Sequence, residues 1–295
     1  MGQQRRNILK GGAALAAASM LPGNALAKAS GYARRTGDSL DLPTHVLHEA
    51  MIDYFSGKGY ELVDHVPIVT GDESFNGGLR YDETGIDNKP GQMAIQPCAR
   101  IEDIQKKGQL DVLPLFHIFY CMTPLGLKPA DTLAQVLDYL TNNVGLNSQY
   151  FAFVTVPEFE LYFPVLEEYG FDPNRQVHIR DSEEALVMGD GSGYFRFPGN
   201  RDALAFATAG IYYWTGTGAP PELTAYPPQK GWTEIGETSI DETANFGFGL
   251  GTERVGLAAT REIPSWQERL VLLFEQIEIH SGGNPPPGRD RFSNG

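Results

Sequence analysis

Cysteine and metal-ligand patterns are scarce in this chain of 295 residues. The 2 cysteines, Cys98 and Cys121, are too few for a disulfide scaffold or a zinc cluster. None of the 6 histidines has the spacing of a metal ligand pair. The composition therefore excludes the small disulfide-rich and zinc-binding classes and leaves a chain long enough for one large domain.

Basic clusters are also missing. Lys and Arg number 23 against 37 Asp and Glu, which gives a formal net charge of −14. After the first thirty residues the basic side chains form nothing larger than the pairs at 34–35 and 106–107. A protein that neutralises many phosphates needs a basic face, so autonomous nucleic-acid binding is not expected.

The first thirty residues have the pattern of an export signal. Arg5-Arg6 precedes an apolar stretch over 11–21 and the small-residue site Ala25-Leu26-Ala27. The sequence predicts a twin-arginine signal over 1–27 and a polar linker over 28–40, and hence a periplasmic or secreted protein. A membrane helix is the alternative, but the apolar run is shorter than the roughly 20 residues that span a bilayer, and no span is expected after signal removal.

Hydrophobic periodicity then predicts a domain over 41–280, followed by a disordered tail over 281–295. Apolar residues at helical spacing predict a helix over 44–56, and a β-rich segment over 60–69 with Pro67 suits an edge strand or an interface strand. Runs over 92–104 and 113–122 predict an antiparallel hairpin. Further predicted elements are a helix from Pro129 to Gly145, strands over 150–156, 232–240 and 246–251, and helices from Val255 and near Pro264. This order favours an α+β fold with an antiparallel β-sheet flanked by helices.

The hairpin carries the first candidate site. If it is centred between Gln109 and Leu110, Arg100 lies opposite Phe119, Glu102 opposite His117, and Cys98 opposite Cys121, all on one surface. An arginine beside an aromatic ring suits a nucleotide, because the guanidinium binds phosphate and the ring stacks on the base. A core phenylalanine beside a surface arginine is the alternative. The facing cysteines would form a disulfide or remain two buried thiols.

The second candidate site is the segment Gly247-Phe248-Gly249-Leu250-Gly251-Thr252-Glu253-Arg254. Alternating glycines clear one face of a strand for a ligand, and Arg254 then offers a charged fork to an anion. Close packing between strands is the alternative explanation for the glycines.

Together these segments resemble the class II aminoacyl-tRNA synthetases, most closely the alanyl-tRNA synthetase family. The helix over 44–59 with Pro67 resembles motif 1, residues 96–122 resemble motif 2, and residues 247–254 resemble motif 3. Five segments are similar in sequence to the alanyl branch: 45–59, Asp72-Glu73-Ser74-Phe75, Gln96-Pro97-Cys98-Ala99-Arg100, 117–122 and 128–146.

The resemblance implies a site for ATP and Mg²⁺ in which a carboxylate attacks the α-phosphorus. Arg100 would contact the α-phosphate and the carboxylate, Phe119 would stack on adenine, and Arg254 would hold the γ-phosphate. Catalytic candidates are Arg100, Glu253 and Arg254, and other ATP-binding candidates are Asp103, His117, Gly249 and Gly251. Substrate-binding candidates are Glu237, Asp241 and Gly247, and metal-binding candidates are Glu234 and Glu237.

The chain departs from the family pattern at several positions. Gly247 stands where the family has the aspartate that binds the substrate amine, Cys121 replaces a glutamate, and Phe116 replaces an arginine. No tRNA-recognition or editing segment follows motif 3, so tRNA charging is not expected. Two hypotheses result: an enzyme that activates an amino acid or related carboxylate as an adenylate, or a non-catalytic binding or regulatory protein. The resemblance also implies a homodimer through motif 1.

Overall fold

The computed structural model describes residues 42–66, 68, 81–82, 85–86, 88–100, 103, 105–109, 112–196 and 205–280. The predicted signal, linker and C-terminal tail lie outside the described residues, as do Pro67, the segment 72–75 and Glu102. Among the described residues, no helix is both long enough and apolar enough to cross a membrane.

Seven α-helices and eleven β-strands are described. The helices are α1 Leu42–Ser56, α2 Pro129–Asp138, α3 Phe163–Glu168, α4 Pro173–Gln176, α5 Ser182–Met188, α6 Thr252–Thr260 and α7 Trp266–His280. The strands are β1 Glu61–Leu62, β2 Tyr81–Asp82, β3 Gly85–Ile86, β4 Gln92–Cys98, β5 Phe116–Met122, β6 Phe151–Thr155, β7 Val177–Ile179, β8 Tyr194–Phe195, β9 Phe206–Trp214, β10 Trp232–Ser239 and β11 Phe246–Gly251.

One nine-stranded sheet organises the protein. Its strand order is β1-β4-β5-β11-β10-β9-β6-β7, with β8 added to β9. The two outermost pairs, β1 with β4 and β6 with β7, are parallel, and the other pairs are antiparallel. The predicted α+β class with a mostly antiparallel sheet and flanking helices is confirmed, and the short β1 lies at the edge as expected for the segment before Pro67.

The two faces of the sheet differ in what covers them. On one face, called the helix face, the main core joins Phe119, Leu250 and Ile211 to residues of α1, α2 and α6. The other face, called the cleft face, has two smaller apolar clusters, one around Tyr120 and Phe246 and one around the strands β6 and β9. Side chains alternate along each strand, so every strand contributes side chains to both faces, and both faces must be covered by packing.

Several predicted elements are confirmed. Helix α1 ends at Ser56. Gly59, three positions later, adopts a φ of 94°, a conformation that favours glycine. Helix α2 begins at Pro129, continues as a π-helical turn over Tyr139–Asn143, and stops before Gly145. The predicted strands β6, β10 and β11 and the last helix are present.

The predicted register of the β4–β5 hairpin is wrong. Met93 pairs with Cys121, Ile95 with Phe119 and Cys98 with Phe116, so the pairs are centred on Lys107. The observed β5 partner of each β4 residue differs from the predicted partner by an odd number of positions. Because side chains alternate between the two faces, the β5 side chains beside Arg100 are the opposite set from those predicted. The reason is the connection, which includes a short helical turn near Asp103 and buried residues Leu113–Leu115 instead of a tight turn.

Candidate functional site

A cleft of about 310 Å³ opens on the cleft face above β5, β11 and β10. This volume is at the lower end of the range for small-molecule sites, roughly 300–1,000 Å³. Its floor is formed by residues of the three central strands, and its walls come from the start of α6, from residues within 189–196, and from Arg100, Asp103, Val112 and Leu113. The sheet therefore supplies a rigid base, and the connections supply the walls.

Two arginines from distant stretches of the chain lie in this cleft. Arg100 follows β4, and its guanidinium lies 5.6 Å from the centre of the Phe116 ring. Arg254 is in the first turn of α6, where its Nη1 donates to the main-chain carbonyl of Glu234 at 3.0 Å and lies 3.6 Å from the Glu234 carboxylate. Since both guanidinium groups stay partly accessible, the cleft can bind an anion with either.

Glycine clears the floor between these arginines. Gly249 lies opposite Tyr120 and Gly251 opposite Ile118, and both glycines line the cleft. A methyl group built on Gly249 would contact Ile118 and Phe246 at 3.5 Å, an ordinary packing distance. A side chain would therefore fit there, but it would occupy the floor of the cleft. This supports the ligand-approach interpretation of these two glycines.

Two glutamates reach the same floor through a β-bulge. Glu234 and Glu237 are three positions apart, so a regular strand would direct them to opposite faces. The pairing of β10 with β9 shifts between Glu234 and Gly236, which places one extra residue in β10. Both carboxyl groups consequently line the cleft, while Ile235 is buried in the main core.

The cleft disfavours a charged form of these carboxyl groups. Burial and the neighbouring carboxyl of Glu234 raise the pKa of Glu237 to about 8, against an ordinary value of 4.5, although Arg100 acts in the opposite direction. Burial also raises the pKa of Glu234, opposed by Arg254 and Arg100. A cation bound beside Glu237 would lower this pKa and favour the ionised form.

A separate network fixes the wall over Glu237. Arg180 is buried and donates to Asp190 at 3.0 Å, while Tyr226 donates to the same carboxylate at 2.8 Å. Asp190 lines the cleft, but its charge is already paired with Arg180. The next residue, Gly191, has a φ of 90°, and a Cβ there would collide with the carboxylate of Glu237. Glycine is therefore needed for this close approach.

Glu253 lies at the edge of the cleft and is held by several donors. Its carboxylate accepts from the main chain of His117 at 2.8 Å and from Thr252 Oγ1 at 3.0 Å, and it pairs with His117 Nδ1 at 2.8 Å and Arg269 at 3.1 Å. Burial alone would raise the pKa of Glu253, but His117 and Arg269 outweigh burial and hold the pKa well below its ordinary value. The carboxylate is therefore a buried charged anchor.

Two predicted ATP-binding residues do not line the cleft. Phe119 is fully buried on the helix face, where its ring lies 5.3 Å from Phe55 and 6.1 Å from Phe248. The prediction that its ring shares a surface with Arg100 is wrong, because the hairpin register differs. His117 shares the helix face and pairs with Glu253. Asp103 does line the cleft, where it forms an ion pair with Lys106.

Two predicted substrate-binding residues also lie elsewhere. A Cβ on Gly247 would meet the carbonyl of Cys121 at 2.9 Å and Thr132 of α2 at 3.1 Å, so this glycine allows close packing and not ligand approach. The pairing of β11 with β5 shifts between Phe246 and Phe248, which breaks the alternation of the glycines. Asp241 accepts hydrogen bonds from the main chain and side chain of Thr243 within its own turn. Glu237 is the substrate candidate that lines the cleft.

The two cysteines do not face each other. Cys98 pairs with Phe116 and Cys121 with Met93, which places the thiols on opposite faces of the hairpin. Both are buried and neither forms a disulfide, and burial raises the pKa of each thiol. Of the two predicted alternatives, two buried thiols are confirmed, and the prediction of a disulfide between Cys98 and Cys121 is wrong.

Several cleft residues were not predicted from the sequence. Phe116, Ile118 and Tyr120 line it because they alternate along β5. The alternation itself was visible in the sequence, and the correct register would have selected them. Asp190 and Arg196 come from the segment 157–230, where glycine, proline and aromatic residues obscured any periodicity.

A scan of the chain against protein-family models finds no match, and a search of curated proteins finds none either.

Proposed function

We propose that the cleft binds ATP together with a carboxylic acid that carries a positive group, such as an amino acid, and joins them as an adenylate. The observation that carries this proposal is the meeting of Arg100 and Arg254 over one glycine-cleared floor that also holds Glu237. These groups offer two cationic contacts for phosphate and carboxylate oxygens and one acidic contact for an ammonium group or a metal ion.

The aromatic partner in this proposal is Phe116. Its ring lines the cleft beside the Arg100 guanidinium, so a purine could stack on the ring while Arg100 binds a phosphate. The resemblance to class II synthetases supports the reaction, and the register of the hairpin transfers the stacking role from Phe119 to Phe116.

Glu234 and Glu237 fit a magnesium ion that is shared with phosphate. Mg²⁺ bound with ATP is held by one or two protein carboxylates, phosphate oxygens and water, and the bulge in β10 brings two carboxyl groups to the cleft. No group of three potential metal ligands occurs among the described residues, so a metal site made by the protein alone is not proposed. When bound, the ion would neutralise charge on the phosphates.

The proposed reaction needs no protein base. A carboxylate oxygen of the substrate attacks the α-phosphorus, a new P–O bond forms, and the bond to the bridging oxygen of pyrophosphate breaks with its electron pair. Arg100 and Arg254 would neutralise the charge that develops on the phosphate oxygens, and the rigid sheet would hold the two reactants in contact.

The test is ATP binding and pyrophosphate exchange by the full chain and three variants. Arg100→Ala and Arg254→Ala are each expected to weaken ATP binding at least about tenfold, because each removes a charge-assisted contact. Arg175→Ala, which changes an exposed arginine on α4, is the matched control and should bind as the parent does. Isothermal titration calorimetry with ATP and Mg²⁺ measures the affinities, and labelled pyrophosphate incorporated into ATP in the presence of each amino acid measures activation.

A non-catalytic binding protein is the second candidate, favoured by the contact between Arg254 and Glu234. That contact occupies one nitrogen of the guanidinium that the reaction would need for phosphate. Binding of ATP without exchange for any amino acid would favour this candidate. Absence of ATP binding by the parent chain would exclude the adenylate-forming enzyme.

A further inference from the structure

The C-terminal helix α7 contacts both segments that carry the cleft arginines. Leu270 and Leu273 form an apolar cluster with Leu115, which precedes Phe116, and Ala99, which precedes Arg100, packs against the same cluster. Arg269, one residue before Leu270, reaches Glu253, which precedes Arg254. A single helix therefore supports both sides of the cleft from outside it.

The contact through Arg269 is a buried ion pair. Its side chain is 3% exposed and that of Glu253 is 1% exposed, and the closest atoms are 3.1 Å apart. The same Glu253 oxygen lies 2.8 Å from His117 Nδ1, and the other accepts from Thr252. Thr252 Oγ1 in turn lies 3.0 Å from His48 Nε2 of α1. Three elements, β5, α6 and α7, thus meet at one carboxylate, and α1 is linked to it through Thr252.

Such an arrangement fixes the orientation of the groups that it joins more than it increases the free energy of unfolding. Removing two charges from water costs free energy that their attraction repays only in part, and apolar residues of similar volume often stabilise a protein equally well. A carboxylate with directed donors, in contrast, defines the orientation of the group that carries it. Here that group is Glu253, which follows Gly251 of the cleft floor by two positions and directly precedes Arg254 of the cleft wall.

We propose that Arg269 is a positioning residue for the cleft, which acts through Glu253 to hold the first turn of α6 where Arg254 reaches the ligand. Arg269 does not line the cleft, and its effect on ligand binding is indirect. The part of this inference that concerns ATP rests on the proposed function, whereas the part that concerns the order of the first turn of α6 does not.

The test compares three changes in the same helix. Arg269→Met removes the charge and keeps most of the volume, Arg269→Lys keeps the charge without the planar fork, and Leu270→Ala removes apolar packing beside it. Hydrogen–deuterium exchange of the ligand-free full chain measures local order in the segment 247–256, and denaturant unfolding measures global stability. Calorimetry with ATP and Mg²⁺ measures affinity.

Arg269→Met is expected to raise exchange in the segment 247–256 at least tenfold more than in β6 and β9, and to weaken ATP binding about tenfold. Arg269→Lys should show the same local pattern with less than half the effect on affinity. Leu270→Ala should lower global stability and raise exchange across the sheet without the local excess.

The outcomes separate the two proposals. If the parent binds no ATP but the local excess appears in Arg269→Met, the proposed function fails and the positioning role stands. Exchange in 247–256 that follows global stability in both Arg269 variants overturns the positioning role. If Arg269→Met does not fold, Arg269→Lys decides the question by the same comparison of local with global exchange.

Discussion

Glu237 lies between two glycines of neighbouring strands, Gly249 on β11 and Gly210 on β9. No side chain beside it on the strands shields it, and the wall at Gly191 closes over its carboxyl group. The sequence predicted Glu237, Arg100 and Arg254 as site residues because their charges and neighbours resembled known motifs. It could not predict the pKa of Glu237, which depends on burial and on Glu234 reaching the same floor through a bulge.

The ionisation of Glu237 predicts a change in stability with pH. The folded protein keeps the proton up to a pKa of about 8, whereas the unfolded chain loses it near 4.5. Between these values the unfolded state binds fewer protons, so this group lowers the free energy of unfolding as pH rises. Glu237→Gln is expected to flatten that decrease and to be more stable than the parent at pH 8, as urea unfolding from pH 5 to 8 would measure.

An exposed glutamate supplies the control for this prediction. Glu61→Gln changes a residue at the edge of the sheet and should retain the parent's dependence on pH. If Glu237→Gln and the parent lose stability in parallel over this range, the carboxyl group of Glu237 does not hold its proton in the folded state.

At the scale of elements, strand β11 shows what a motif establishes and what it leaves open. The three glycines predicted a strand with a cleared face, and the strand is present. The irregular pairing between Phe246 and Phe248, however, turns Gly247 toward α2 while Gly249 and Gly251 face the cleft. The predicted register of the β4–β5 hairpin was wrong for a similar reason, because periodicity identifies strands but not the length of the connection that sets their register.

The different surroundings of these glycines predict opposite effects of one substitution. Gly249→Ala should leave the protein as stable as before or more stable by about 0.5–1 kcal/mol, and it should weaken ATP binding at least tenfold because the methyl group occupies the floor. Gly247→Ala should lower the free energy of unfolding by about 1–3 kcal/mol through collision with Cys121 and Thr132. Urea unfolding and calorimetry measure both quantities.

The matched pair also tests the placement of the cleft. If Gly249→Ala binds ATP with the parent's affinity, or if Gly247→Ala is as stable as the parent, then the assignment of the two faces of β11 is incorrect.

At the scale of the whole molecule, charge and fold class followed from the sequence more readily than the site did. Hydrophobic periodicity predicted the individual helices and strands, and the order of these elements predicted a mostly antiparallel sheet with flanking helices. The elements within 157–230 were not predicted, since its short helices and β7–β9 lack periodic patterns long enough to recognise. That segment supplies the wall that contains Asp190 and the network of Arg180, so this wall of the cleft was missing from the prediction.

The acidic composition predicts that the full chain does not bind tRNA. A formal net charge of −14 repels a polyanion, and phosphate contacts need basic side chains in a cluster. Electrophoretic mobility shift with total tRNA at about 0.15 M salt is expected to show no complex at micromolar protein. A complex that weakens steeply as salt increases would contradict this prediction and reopen tRNA charging.

The bulge in β10 makes the acidity of the cleft depend on the number of residues as well as on their type. Gain of one residue in β9, between Ile211 and Tyr212, would match the extra residue of β10, restore regular alternation along the strand and turn one of the two glutamates toward the apolar core. The composition of such a chain would differ by a single residue, yet its cleft would have one carboxyl group where the present one has two.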